Sequence, residues 1–196
     1  NGVDHRRFVP PATKRAATPF RILFCGNLNR RKRAHLLPQL AAALDERFEI
    51  HFTAGLADGG LSAAHVASGG AQLRPLGRIE HAAMPSVYQS MDALFMPSVR
   101  EGFGLCVAEA MACGLPVVAF DNAGVPEAVQ DQKTGFLVPM YEMEPFAAAV
   151  KRLLDNKGLR RKMGFAAKSY VRDFHDLNKN YQELALSLNR IVKSRR

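Results

Sequence analysis

The chain has 196 residues, 47% apolar and 23% charged, which excludes a disordered or fibrous protein and suits one self-sustaining domain or two small ones. No run approaches the roughly 20 uncharged apolar residues of a membrane-spanning helix, and the opening NGVDHRRFVPP has no apolar signal-peptide core. Cys25, Cys106 and Cys113 lack C-x-x-C spacing, which argues against a disulfide framework or cysteine zinc site and for a reducing cytosol, while the net charge of +9 points to anionic partners or solvated basic faces.

Along the chain, residues 1–19 carry Pro10, Pro11 and Pro19 with little apolar periodicity and read as a linker or arm, with nothing in it to found a core. Residues 21–26 (RILFCG) form the first buried strand, and Leu36, Leu37, Leu40, Ala41 and Leu44 then recur at helical spacing. Further strands are predicted at 48–53, 72–76 and 93–97, with a helix over 82–91 before the last of these. A helix over 105–112 ends at Gly114, a strand follows at 115–120, a short helix at 126–129 and a sixth strand at 135–138. The remainder is helical, over 145–155, 158–173 and 176–193, with Gly158 and Gly164 as weak points. Strands alternate with helices and are unbroken apolar runs, so the prediction is a Rossmann-like doubly wound parallel sheet of about six strands, covered on both faces, with a C-terminal helical tail.

In such a sheet, ligands sit at the carboxyl ends of the strands, so the loops there carry the chemistry. After the fourth strand, Gly102 and Gly104 let backbone approach a ligand, and the helix opening near Gly104 offers N–H groups and its dipole to a phosphate. Glu101 and Glu109 stand eight apart, one in the loop and one in a helix between apolar neighbours. Carboxylates flanking a phosphate cradle make sense if the phosphate belongs to a nucleotide sugar whose hydroxyls they bind; a loop acid and a helix-surface acid are the plain alternative. A buried Glu109 needs partners. In the loop after the fifth strand, Glu127 is either a first-turn acid matched to the helix dipole or a ligand for substrate hydroxyls. The run Arg30-Arg31-Lys32-Arg33, after the first strand, suits a diphosphate or is a generic basic loop.

The pattern E-G-F-G-L-x-x-x-E-A-M-A-C-G-x-P-V-V-A, then G-x-P-E-x-V and T-G-F-L-V, resembles the C-terminal, donor-binding domain of retaining GT-B glycosyltransferases, family 4 (group 1), from Asn1 to about residue 175. The start, Asn1-Gly2-Val3-Asp4 with Phe8 and Pro10, is similar to the segment where that family passes between its two domains.

The resemblance implies a division into an interdomain linker (1–19), a nucleotide-sugar-binding domain (20–175) and a last helix (176–196) that crosses to an N-terminal domain outside this chain. It implies that Glu109 binds the ribose, that Glu101 faces the donor sugar and that backbone around Gly102, Phe103, Gly104 and Leu105 holds the diphosphate or sugar. It also places a diphosphate-binding lysine at Lys32, and counts Gly26 among the donor-binding residues. Glu101 and Lys32 are then the catalytic pair. The family's usual arginine is Asn27 here, and the glycine after the lysine is Arg33; Arg30, Arg31 or Arg33 is a candidate to restore the charge. Arg78 and Ile79, after Gly77, would hold the base through backbone.

The implied reaction is metal-independent retaining transfer from a UDP-, GDP- or ADP-sugar, as substrate rather than cofactor, to a saccharide or lipid-linked acceptor held by the N-terminal domain, without which this chain would be inactive. There is no D-x-D, and His35, His51, His65, His81 and His175 are scattered and read as surface or core residues. The basic linker and the C-terminal Lys193, Arg195 and Arg196 fit contact with an anionic inner membrane face. Rival readings are a GT-B-like sugar-nucleotide epimerase, a non-catalytic nucleotide-binding module, and a dehydrogenase domain, which lacks its G-x-G-x-x-G. Without interleaved aromatics among the bases, nucleic acid is not an expected partner.

Overall fold

The computed structural model describes residues 2–13, 18–28, 31–53, 70–99, 102, 104–122 and 124–194, with Lys193 and Ser194 described by backbone alone. Six strands, β1 (Phe20–Phe24), β2 (Phe48–Thr53), β3 (Gln72–Gly77), β4 (Ala93–Met96), β5 (Val117–Phe120) and β6 (Gly135–Val138), form one parallel sheet in the order β3-β2-β1-β4-β5-β6. The helices are α1 (Leu37–Ala43), α2 (Met84–Gln89), α3 (Leu105–Ala112), α4 (Val125–Ala128), α5 (Met143–Asp155), α6 (Lys157–Phe174) and α7 (Leu177–Ser194). The predicted doubly wound architecture is therefore observed, with element ends displaced by one or two residues.

Alternate side chains of β1, β4 and β5 enter two separate cores, which is why these strands read as continuous apolar runs. β2 sends only Phe48, Ile50 and Phe52 into a core, and edge strand β3 is largely exposed, so the expectation of unbroken apolar strands fails for those two. On one face Phe20, Ile22 and Phe24 of β1 pack with Phe48, Phe95 and Phe120 beneath α1 and α5. Phe146 of α5 stands edge-on to Phe95, with ring centres 4.5 Å apart, and to Phe120 at 5.5 Å. On the other face Leu23, Leu94, Met96, Val117 and Ala119 pack against α2, α3, α4 and α6, largely through alanine, valine and methionine.

The small residues of this second face let helices approach closely. A Cβ on Gly164 of α6 would lie 2.2 Å from the carbonyl oxygen of Gly114, just beyond α3, so this glycine is a helix contact rather than a weak point in its helix.

The start of the chain also differs from the expectation that it founds no core. Val3 and Phe8 are buried in the second core. The Val3 N–H donates to the His175 carbonyl at 2.8 Å, and the Leu177 N–H to the Val3 carbonyl at 3.2 Å. Phe8 packs beside the rings of His81 and Tyr88. Isolated anchors in coil leave no periodic trace, which is why composition alone suggested an arm. Beyond Asn180 the contrast is sharp: from Tyr181 to Val192 every residue of α7 is exposed.

Candidate functional site

The connections leaving β1 and β4 run to opposite sides of the sheet, so a crevice opens between these neighbouring strands at their carboxyl ends. A cleft of about 490 Å³ lies there, lined by Cys25, Gly26, Asn27, Thr53, Arg78, Ile79, His81, Met84 and Glu109, within the size range of small-molecule sites.

Glu109 forms the acidic end of this cleft. It sits in the second turn of α3, is only 8% exposed, and is satisfied from two sides. Tyr88 Oη donates to Oε2 at 2.9 Å, and His81 Nε2 lies 2.8 Å from Oε1. A carboxylate has about four acceptor positions, so two such bonds leave capacity for ligand hydroxyls. Burial, foremost, pushes the Tyr88 phenol well above its ordinary value, helped by the neighbouring thiols and Glu109, and keeps it a proton donor. His81 itself remains largely exposed, with its backbone carbonyl bonded by Arg7 and its ring against Phe8. The N-terminal segment therefore holds one wall of the cleft.

The basic end is built on Gly26. Its φ of +147° is open chiefly to glycine, and a Cβ there would lie 3.0 Å from Lys32 Cε and 3.2 Å from Cδ. The Gly26 N–H donates to Thr53 Oγ1 at 3.0 Å, fixing the turn. Lys32 thus lies flat across Gly26, buried at 8% exposure, and its Nζ reaches to 4.0 Å from Cys106 Sγ in the first turn of α3. An ammonium next to a helix N-terminus, opened by Gly104 at φ +65°, is a setting that favours an anion.

Of the expected site residues, Gly26, Asn27, Arg78, Ile79 and Glu109 meet around one cleft; Lys32 packs on Gly26, and Gly104 and the half-exposed Leu105 open α3, outside the lining itself. Arg33 is turned elsewhere. Its guanidinium stacks 4.1 Å above the ring of Tyr141, and its backbone keeps φ +54°, the left-handed region suited to a glycine. Glu127 is exposed on α4, where its carbonyl accepts from Tyr170 Oη at 2.9 Å. Gly102 is exposed, whereas Glu101, Phe103 and Arg30 lie outside the described residues.

Sequence reasoning missed His81, Cys25, Thr53 and Met84 as parts of this cleft, and Tyr88 as the buried donor that supports Glu109. The requirement that a buried Glu109 have donors was the one signal pointing towards Tyr88 and His81, without saying which donors they would be.

Residues 6–170 match the sequence profile of the glycosyl transferases group 1. The chain belongs to this family. A D-inositol 3-phosphate glycosyltransferase of Corynebacterium jeikeium is 34% identical over 215 residues, an alignment covering 93% of this chain and 50% of the relative. The group 1 chain spans half or less of the length of the curated relatives it matches. Among solved structures, a sucrose-phosphate synthase from Thermosynechococcus elongatus superposes with a TM-score of 0.85 at 23% identity, covering 98% of this chain and 52% of that one. The Anabaena protein HepE, solved in complex with UDP-glucose, superposes with a TM-score of 0.82 at 21% identity, covering 96% and 56%. Both share the fold. No helix among the described residues of this group 1 chain is long and apolar enough to cross a membrane.

Proposed function

We propose that the cleft binds the nucleoside diphosphate of a sugar donor, and that the domain presents this donor for glycosyl transfer. The observation that carries the reading is the pairing of a buried Glu109 carboxylate in the cleft lining with a buried Lys32 that lies against Gly26 of that lining and reaches the first turn of α3. Glu109, with acceptor positions to spare, takes the ribose hydroxyls. Lys32 and the helix end take the diphosphate and stabilise it as leaving group. Backbone around Arg78 and Ile79 holds the base. Cationic and dipolar stabilisation is the task a metal performs elsewhere, and on that ground the transfer is proposed to be metal-independent, with retention as in the family resembled. The acceptor is proposed to be a saccharide or lipid-linked saccharide, held by a further domain and reached at an anionic inner membrane face.

Calorimetric titration with UDP, GDP and ADP tests the first step. Binding of at least one is expected, and Glu109→Gln should weaken it by roughly ten- to a hundredfold, the loss of about 1.5–3 kcal/mol for a hydrogen bond to a charged group. No heat with any of the three nucleotides would refute the reading.

A further inference from the structure

The three cysteines occupy different chemical settings. Cys113 is buried beyond α3, and burial, with Glu109 nearby, pushes its thiol up to about 12. Cys25, directly after β1, lines the nucleotide cleft. Its thiol hydrogen-bonds with Cys106, and Tyr88 Oη lies 3.6 Å from its sulfur; the bond to Cys106 foremost pulls it down to about 7, against burial and Glu109. Cys106 belongs to the first turn of α3 and has Lys32 Nζ 4.0 Å from its sulfur. Two half-buried thiols thus share a hydrogen bond beside an ammonium and a helix N-terminus, the setting that raises thiolate population. One of them opens on a cleft wide enough to admit a small oxidant.

We propose that Cys25 and Cys106 form a peroxide-sensitive dithiol at the donor site, whose oxidation to a disulfide weakens nucleotide binding. The Cys25 thiolate attacks one peroxide oxygen; the O–O bond breaks, an S–O bond forms, and the leaving hydroxide takes up a proton to become water. The Cys106 sulfur, giving up its proton, then displaces the sulfenic hydroxyl as a second water, and an S–S bond replaces the S–O bond. Each sulfur is oxidised by one electron and the two peroxide oxygens are reduced to water.

A disulfide draws the sulfurs to about 2.05 Å, closer than any thiol hydrogen bond, and pulls the first turn of α3 towards the end of β1. It also removes the sulfur partners of Lys32 and Tyr88 from their present places. The settings of Lys32 and of the Tyr88–Glu109 pair are disturbed together.

The binding consequence rests on the nucleotide reading above, whereas the cross-link does not. The 196-residue chain is treated with a small molar excess of hydrogen peroxide and mapped by mass spectrometry without reduction. Expected are a loss of two hydrogens, a Cys25–Cys106 linked peptide, UDP affinity lower by at least about tenfold, and recovery with dithiothreitol. The link should disappear in Cys25→Ser and in Cys106→Ser, persist in Cys113→Ser, and form more slowly when UDP is bound. Free thiols after treatment, or Cys25 oxidised to sulfinic acid with Cys106 intact, would overturn the dithiol. A disulfide with unchanged UDP affinity would overturn its effect on binding. A reduced chain that binds no nucleotide overturns both that effect and the nucleotide reading, and leaves the linked peptide to be judged by mass alone.

Discussion

His51 on β2 shows how a residue's surroundings set the direction of a pH response. Its side chain is 13% exposed, with Nε2 3.0 Å from Glu49 Oε2. Burial lowers its pKa foremost; Glu49 opposes this, and Arg21 and Arg74 add to the lowering. The unfolded chain takes up this proton near the ordinary value of 6.5, before the folded chain does. Between the two values the unfolded state holds more protons, so stability is present above 6.5 and lost as pH falls through the folded value. Urea midpoints should decline below that pH, and His51→Gln should flatten the decline; equal slopes in both proteins would contradict it. Glu49, held below its usual value of 4.5, acts only in a more acidic window. At this scale the sequence was informative where a side chain contradicted its setting. A carboxylate at Glu109 between alanines had to be partnered, and it is. His81, between Glu80 and Ala82, contradicted nothing and read as a surface or core residue, although its side chain lines the cleft.

The elements followed from periodicity to within one or two residues, because apolar spacing is a property of a segment alone. What one element does to another is not. Gly158 and Gly164 look alike in the sequence of α6, yet their surroundings differ. A Cβ on Gly164 meets the Gly114 carbonyl oxygen at 2.2 Å, whereas one on Gly158 meets only Asn156 Oδ1, at 3.4 Å. Gly164→Ala is therefore expected to cost about 1–3 kcal/mol through overpacking between α3 and α6. Gly158→Ala should be neutral or add up to about 1 kcal/mol through helix propensity. Thermal melts of the two variants decide this, and equal shifts would refute it. The partner of Gly164 lies fifty positions earlier, beyond the reach of any local pattern. The burial of Val3 and Phe8 was not foreseen for the related reason that each is a single anchor in irregular chain. Arg33 adds a third case: its left-handed backbone suits the glycine expected there, but the side chain it carries instead stacks on Tyr141.

For the molecule as a whole, a parallel sheet covered by helices on both faces was legible because strands alternating with helices admit few other arrangements, whereas the strand order was not read from the sequence. The polarity of the cleft was legible in part, from Glu109 and the basic loop, since the loops at the strand ends are known once the topology is. The last helix stands apart from this unit. With Tyr181 to Val192 all exposed, removal of residues 178–196 should leave the thermal midpoint of the remainder within about 2 °C; a larger drop would show that α7 contributes to the core. The seam between Val3 and the α6–α7 junction has a mechanical consequence. Because Val3 accepts from Leu177 and donates to the His175 carbonyl, the segments entering and leaving the sheet domain are clasped side by side. Tension on those two segments loads this clasp first, before it reaches the strands.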